Sequence, residues 1–291
     1  MQTLVDTPAV LGRKRRAAAI GDAGAWFLMR RAAEDLAERL ATVERRFADA
    51  AALFCLTPDA AAALRDSGKV AAVTRVEADP ALLAGDDGIL AQPEHVPLAP
   101  GSLDLAVSLL TLHEVNDVPG LLVQIRRALR PDGLFVGAMA GAGTLDELRE
   151  SLLAAEAELA GGATPRVLPF ADVRDAGGLL QRAGFALPVS DVETVRVRYD
   201  TMFDLMRDLR AMGATSALAE RGRRFAPRAL FLRAAEIYAE RFAEADGRIP
   251  ATFRIVWLSG WAPAESQQKP ARRGSGRVSL AEALAERRDE D

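Results

Sequence analysis

The chain has very few residues that act through sulfur or imidazole. Its 291 residues include one cysteine and two histidines. A single cysteine excludes an internal disulfide, and Cys55 lies beside Phe54 and Leu56, so we expect a buried thiol and a reducing compartment. Stability must come from a hydrophobic core, which a chain of this length with 49% hydrophobic residues can build.

Long apolar runs and an excess of positive charge are also missing. No stretch approaches the roughly eighteen apolar residues of a membrane span, and Asp6 and a basic cluster stand where a secretory signal is apolar. With 37 Lys and Arg against 41 Asp and Glu, nucleic acid is not an expected partner. The basic run RKRR at 13–16 is interpreted as a solvated face, with contact to an acidic partner as the alternative. We expect a soluble, cytoplasmic protein without a membrane span.

Apolar segments of strand length alternate with amphipathic segments of helical spacing along the chain. Such alternation is typical of a mostly parallel sheet covered by helices, and it predicts an α/β fold. Thr144 and Glu147 form a capping-box pattern that predicts the start of a helix. We predict a helical segment at 1–48, a main domain at 49–264 with a helical insert at about 200–248, and a partly disordered tail at 265–291.

A close resemblance to the fourth and fifth strands of class I S-adenosylmethionine-dependent methyltransferases is found at 102–139, SLDLAVSLLTLHEVNDVPGLLVQIRRALRPDGLFVGAM. Residues 141–170 and 250–280 resemble a narrower family, the methyltransferase-like assembly factors of respiratory complex I, which hydroxylate an arginine of a complex I subunit, and their alphaproteobacterial relatives. The malonyl-carrier-protein methyltransferases of biotin synthesis are more distantly similar. The resemblance implies a Rossmann-like class I methyltransferase fold: a mostly parallel seven-stranded sheet with an antiparallel last strand and a helical insert.

The loop after the first strand departs from the superfamily pattern. Class I methyltransferases have Asp-Leu-Gly-x-Gly-x-Gly there, because glycine accepts positive φ and lets the cofactor approach the backbone. Here residues 53–59 read LFCLTPD, without a glycine. A side chain at positive φ costs roughly 1 to 2 kcal/mol, so we expect this loop to take another path. Thr57 is expected to cap the following helix, with Pro58 at its first position.

S-adenosylmethionine is the cofactor that the resemblance implies. Glu77, at the end of the second strand, matches the acid that accepts hydrogen bonds from the ribose hydroxyls, although a solvated loop acid is the alternative. Gln92 matches the residue near the adenine, where its side chain can hydrogen-bond an exocyclic amine. The predicted cofactor-binding residues are Thr57, Glu77, Gln92 and Leu109.

The segment after the fourth strand carries the predicted catalytic residues His113, Glu114 and Asp117. We predict that His113 is a general base or a substrate anchor; the alternative is a structural, hydrogen-bonded histidine. An iron site built from His95, His113 and Glu114 is a further alternative that needs three side chains to converge in space. No metal is predicted.

Three functions are compatible with these features. The first is an enzyme that modifies a protein arginine, or assists in doing so, with a complex I subunit or another protein as its partner. The second is a catalytically inactive methyltransferase-fold protein that binds an assembly partner, which the missing glycines favour. The third is a methyltransferase for a small molecule or carrier protein. Fold alone does not separate them.

Overall fold

The computed structural model describes residues 3–162, 164–221 and 226–267. The predicted partial disorder of the tail falls, from residue 268 onward, outside the described residues. No helix within the described ranges is long and apolar enough to cross a membrane. The elements are α1 (Thr7–Ile20), α2 (Phe27–Ala41), β1 (Phe47–Leu53), α3 (Asp59–Asp66), β2 (Val70–Glu77), α4 (Pro80–Leu83), β3 (Ile89–Leu90), β4 (Leu103–Leu109), a 3₁₀ turn (Leu112–Glu114), α5 (Val118–Ala128), β5 (Leu129–Ala140), α6 (Asp146–Ala160), α7 (Val173–Arg182), β6 (Ala186–Tyr199), α8 (Met202–Ala211), α9 (Arg228–Phe242) and β7 (Ile249–Trp261).

The strands form one sheet in the order β3-β2-β1-β4-β5-β7-β6. Neighbouring strands from β3 to β5 are parallel, whereas β7 runs antiparallel to both β5 and β6. This confirms the predicted seven-stranded sheet with an antiparallel last strand, and α8 and α9 are the helical insert before that strand. The carboxyl ends of β1, β2 and β4 therefore meet at one edge of the sheet, which we call the carboxyl edge.

Helices cover both faces of the sheet because successive side chains of each strand point to opposite faces. Ala50 and Ala52 of β1 pack with α2 and α3, in a cluster that includes Trp257. Ala51 and Leu53 pack on the other face with α5 and α7. A third cluster joins α6, α8 and α9 to the outer part of β7. These clusters fix the strand ends that carry the candidate site.

The predicted capping box at the start of α6 is wrong. Leu145 occupies the N-cap position with φ 55°, and Thr144 exchanges hydrogen bonds with the backbone of Arg254 in β7. The Glu147 carboxylate accepts a hydrogen bond from the Thr252 N–H, 3.2 Å away. Both side chains are engaged by a strand about a hundred residues away, so the local pattern did not decide their contacts.

Candidate functional site

The loop after β1 makes left-handed turns without glycine. Phe54 has φ 54° and Leu56 has φ 62°. The Phe54 N–H donates to the Val76 carbonyl, 2.8 Å away, and so extends the pairing of β1 with β2. The expectation that the missing glycines send this loop along another path is wrong, because two large side chains adopt positive φ. Such strain, roughly 1 to 2 kcal/mol per residue, is typical of functional sites.

Thr57 does not cap α3. Pro58 occupies the N-cap position, and the Thr57 hydroxyl hydrogen-bonds instead to the Asp59 carboxylate, with a distance of 2.6 Å between the oxygens. Thr57 is buried, and Asp59 places its charge in the first turn of α3. The hydroxyl and the carboxylate therefore satisfy each other, and the structure gives Thr57 a local bond rather than an open donor.

Glu77 ends β2 beneath this loop and is 1% exposed. Its Oε1 accepts a hydrogen bond from the Leu56 N–H at 2.9 Å and lies 3.6 Å from the Arg75 guanidinium. Its Oε2 is buried and has no hydrogen-bond partner among the described residues. Burial raises the pKa of Glu77 to about 8, although Arg75 and the backbone N–H of Leu56 oppose this. The buried oxygen is a free acceptor at the carboxyl edge.

A small cavity, which we call the first cavity, lies beside Glu77. Its volume is about 70 Å³, and its wall includes Phe54, Leu56, Pro93 and, from α1, Leu11. The helix α1 thus lies over the carboxyl edge and fills space above the strand ends.

The two remaining predicted cofactor residues contribute little to this cavity. Gln92 is exposed, whereas its neighbours Pro93 and Glu94 line the wall. Leu109 is fully buried in the cluster formed with α2 and α3, so its side chain belongs to the core. Next to it, Leu110 has φ 54° and lines a second cavity.

The second cavity has a volume of about 100 Å³ and a wall that includes Trp26, His113, Ala140 and Phe170. The His113 Nδ1 accepts a hydrogen bond from the Ala140 N–H at 3.3 Å, and its ring centroid is 5.8 Å from that of Phe170. Burial lowers the pKa of His113 to about 4, although the Glu114 charge opposes this. Because Nδ1 accepts this bond, the neutral ring carries its proton on Nε2. His113 is therefore arranged as a donor and has no free lone pair for a general base.

Glu114 separates the two cavities and lines both of them together with Lys14 of α1. The Lys14 ammonium is 2.9 Å from the Glu114 carboxylate, and each side chain is 5% exposed. A charged pair this deeply buried is held by mutual attraction against a large desolvation penalty. The pair is the most enclosed contact between α1 and the carboxyl edge.

The interpretation of the basic run 13–16 as a solvated face holds for the exposed Arg15 and Arg16 and is wrong for the buried Lys14 and the half-buried Arg13. Besides the Lys14 pair, Arg15 forms an ion pair with Asp79, which follows β2. Arg13 donates to the Thr215 carbonyl at 2.8 Å. The acidic partner of this run is the chain's own carboxyl edge, far away in sequence.

Two neighbours of Glu114 have positioning roles. The Asp117 carboxylate caps α5 by accepting a hydrogen bond from the Gly120 N–H at 2.8 Å. Asn116 is not among the residues predicted from the sequence. Its side-chain oxygen accepts from the N–H groups of Leu4 and Val5, and its side-chain nitrogen donates to the Val5 carbonyl. Its amide thus holds the segment before α1. The HEVND sequence after β4 does not indicate this contact, because Leu4 and Val5 lie more than a hundred residues earlier in the chain.

The histidines do not converge. His95 is exposed on the loop after β3, whereas His113 lies inside the second cavity. Within the described ranges no group of three or more His, Cys, Asp or Glu side chains is arranged to hold a metal ion. The alternative ligand set of His95, His113 and Glu114 is therefore not assembled in this structure.

Comparison with known proteins agrees with this architecture. A family model described as a methyltransferase domain matches residues 55–137. The mitochondrial arginine-hydroxylase NDUFAF5 of Danio rerio is 44% identical over 194 residues, which are 67% of this chain and 60% of that protein. Its Homo sapiens counterpart is 45% identical over the same share of this chain and 56% of its own length. A malonyl-[acyl-carrier protein] O-methyltransferase of Laribacter hongkongensis is 42% identical over 60% of this chain and 57% of its own length.

The chain thus spans less than two thirds of the length of these curated relatives. Among solved structures, a putative methyltransferase of Bacillus halodurans superposes with a TM-score of 0.53 at 12% identity, covering 79% of this chain and 98% of the other. A putative type II methyltransferase of Anaeromyxobacter dehalogenans gives 0.52 at 18% identity, covering 79% and 97%. These structures share the fold with the present chain. Residues 55–137 thus match a methyltransferase domain, and the sheet has the fold of solved methyltransferases.

Proposed function

We propose that this protein binds S-adenosylmethionine and acts on an arginine side chain of a partner protein. The observation that carries the proposal is the pair of buried carboxylates at the ends of β2 and β4, Glu77 and Glu114, each beside a cavity. One carboxylate can accept from a nucleoside, and the other can hold a cation. The relatives named arginine-hydroxylases supply the acceptor residue.

Glu77 fits the cofactor because its Oε2 is buried without a hydrogen-bond partner among the described residues, and a ribose hydroxyl, which both donates and accepts, can pair with it in either protonation state. In class I methyltransferases S-adenosylmethionine supplies an activated methyl group. Phe54 and Leu56 would exclude water from the nucleoside, and Leu56 already orients Glu77 through its N–H. The free oxygen is the feature that supports binding.

The room for the cofactor depends on α1. Pockets for ligands of this size are typically about 300 Å³ or larger. The first cavity is about 70 Å³, and Val10, Leu11 and Lys14 of α1 line it. Cofactor entry therefore requires α1 to move away from the carboxyl edge.

Glu114 fits the acceptor side chain. A guanidinium is a cation with donors in a planar fork, and a buried carboxylate is its natural partner. His113 presents a neutral N–H donor in the second cavity. A guanidinium has no acceptor for this donor, so an anchor role of His113 would be directed at a backbone carbonyl of the partner. The Asp117 carboxylate is engaged in capping α5, so we propose no role for it in binding the acceptor.

The partner is proposed to be a protein, and a complex I subunit is what the resemblance implies. Location in the cytoplasm stays a prediction, since the printed names of the arginine-hydroxylase relatives include the word mitochondrial.

A second candidate is an inactive binding protein that keeps the fold. The glycine-free loop favours it, because Phe54 and Leu56 take up space beside Glu77. The carrier-protein methyltransferase relatives support a third function, but no side chain of the two cavities favours it over an arginine-modifying enzyme.

Thermal unfolding with S-adenosylhomocysteine separates the first two candidates. At a hundredfold excess over Kd, binding to the folded state adds about 2.7 kcal/mol and raises Tm by about 5 to 10 °C. We expect this shift in the wild type and its loss in Glu77→Gln. Asp104→Asn, which removes an acid from the opposite edge of the sheet, is the matched control and should keep the shift.

The same samples test the acceptor. With S-adenosylmethionine and an arginine peptide, mass spectrometry would detect a methyl group transferred to arginine; a gain of oxygen is expected only when dioxygen and a two-electron reductant are also supplied. No thermal shift in the wild type at millimolar ligand would contradict the cofactor part of the proposal and favour the inactive binding protein.

A further inference from the structure

The Lys14–Glu114 pair has an unusual setting. Most residues of α1 are partly exposed, and the two that are buried are Lys14 and Ala17. A helix that docks through the hydrophobic effect buries an apolar stripe, whereas α1 buries a charge instead. Besides the fully buried Ala17, α1 thus buries an ammonium group that lies between two cavities.

Val10 packs against a small apolar cluster, and several other contacts of α1 are polar. Asp6, the N-cap, forms an ion pair with Arg221 at 2.7 Å, and Asn116 holds the backbone of Val5. Arg13 and Arg15 bond to Thr215 and Asp79. A segment with few buried apolar contacts opens at a lower free energy than the sheet beneath it.

The second cavity lies next to two larger cavities. It shares Leu145, Leu168 and Phe170 with a third cavity of about 220 Å³. The third cavity shares Leu152 and Arg166 with a cavity of about 560 Å³. The second cavity itself has a largely apolar wall that includes the Glu114 carboxylate. This combination fits a side chain with an aliphatic stem and a cationic head.

We propose that Lys14 is an internal substitute for the substrate, which fills the cation site of Glu114 and is displaced when a partner's arginine enters from the second cavity. The Lys14 side chain already has the aliphatic stem and cationic head that the site accepts. Because the same lysine lines the first cavity, its departure also enlarges the space beside Glu77. Acceptor binding and cofactor entry are coupled through one residue. The identity of the incoming cation as arginine rests on the proposed function, whereas the cation site does not.

Chemical rescue tests the site directly. Lys14→Ala leaves Glu114 buried and unpaired, so Tm should fall by roughly 10 °C. Propylguanidinium, which reproduces the end of an arginine side chain, should raise the Tm of Lys14→Ala by about 5 °C or more and saturate. The wild type, where Lys14 fills the site, should show no such shift.

Two controls isolate the charge. Propylurea has nearly the same shape without the charge and should not stabilise Lys14→Ala. The double variant Lys14→Ala/Glu114→Gln should not respond to propylguanidinium. If Lys14→Ala does not fold, Lys14→Gln, whose amide can still donate to Glu114, takes its place with the same expected order of responses.

Equal responses of Lys14→Ala and the double variant, or no response in either, would overturn the proposal. The outcome is independent of the cofactor test above. Rescue by propylguanidinium without a thermal shift by S-adenosylhomocysteine would support the cation site and contradict the proposed enzymatic function. A thermal shift by S-adenosylhomocysteine without rescue would support the enzymatic function and contradict the substitute role of Lys14.

Discussion

The two edges of the sheet carry similar charged pairs in different surroundings. At the edge where β1, β4 and β5 begin, Arg130 lies 2.9 Å from both Asp49 and Asp104 and is 39% exposed. At the carboxyl edge, the Lys14–Glu114 pair is equally short but 5% exposed on each side. Water screens the first set and is excluded from the second. Buried charge is thus concentrated at the edge that carries the candidate site.

Backbone strain, in contrast, is present at both edges, because Asp132 and Leu187 have positive φ near the starts of β5 and β6. Phe54, Leu56 and Leu110 all follow strands at the carboxyl edge and have positive φ. Favourable packing elsewhere in the core must offset the free energy of this strain, as is general for functional sites. Because the edges differ in the burial of their charged pairs, equivalent substitutions at each should have unequal effects.

The largest difference is expected when one partner is removed from each set. Glu114→Gln leaves the Lys14 charge buried, which should cost about 3 to 5 kcal/mol of unfolding free energy. Asp104→Asn, in the partly exposed cluster with Arg130, should cost about 1 kcal/mol. Urea unfolding of both variants measures the comparison, and similar losses would show that burial does not distinguish the edges.

The response to pH should also differ in sign. Burial raises the pKa of Glu77 from 4.5 to about 8, so the folded state holds a proton that the unfolded chain has released between these values. This contribution to stability is full below pH 4.5 and is lost as pH rises towards 8. Glu77→Gln should therefore gain stability relative to the wild type with rising pH, by up to roughly 1.4 kcal/mol per pH unit.

Asp104 gives the opposite case. Burial raises the pKa of Asp104, but hydrogen bonds from the Asp49 N–H and from Arg130 lower it, and the net shift is downward. Its contribution is therefore present above pH 3.8 and is lost on acidification. Urea unfolding across the pH range, with Glu77→Gln and Asp104→Asn side by side, should give slopes of opposite sign. Parallel slopes would contradict the assignment of Glu77 as a protonated, buried acid.

His113 should make the carboxyl edge sensitive to acid as well. Burial lowers its pKa from 6.5 to about 4, so its contribution is full above pH 6.5 and is lost as pH falls towards 4. Relative to the wild type, His113→Gln should gain stability on acidification by up to roughly 1.4 kcal/mol per pH unit. His95→Gln is the control at an exposed histidine and should leave the profile unchanged; equal profiles for both variants would contradict a buried, neutral His113.

The smallest effect concerns the loop backbone. Leu56→Gly and Leu56→Ala remove nearly the same side chain, but only glycine relieves the strain at φ 62°. We expect the glycine variant to be more stable by about 1 kcal/mol. In α3, a few residues later, Ala63→Gly should cost about 1 kcal/mol because helical backbone disfavours glycine. Thermal unfolding of the three variants would contradict strain in the loop if alanine were preferred at both positions.

The alternation of strands and helices was predictable because the patterns are local: β1 and β4 are apolar runs, and α5 has regular apolar spacing. The predicted position of Glu77 at the end of β2 is confirmed, whereas its role in binding a cofactor stays a prediction. The rest depended on distant contacts. The partner of Lys14 lies a hundred residues away, so its basic run looked solvated. The positive φ of Phe54 was missed because propensity argues against it, and tertiary packing overrides propensity here.

The chain's one cysteine lies in the strained loop. Cys55 is fully buried, as predicted, and burial, followed by the Glu77 charge, raises its pKa to about 12. Only a thiolate attacks an alkylating reagent, so Cys55 does not react while the loop is closed. Alkylation of Cys55 therefore requires the loop to open. The rate of alkylation in the wild-type protein measures the motion that would admit a nucleoside.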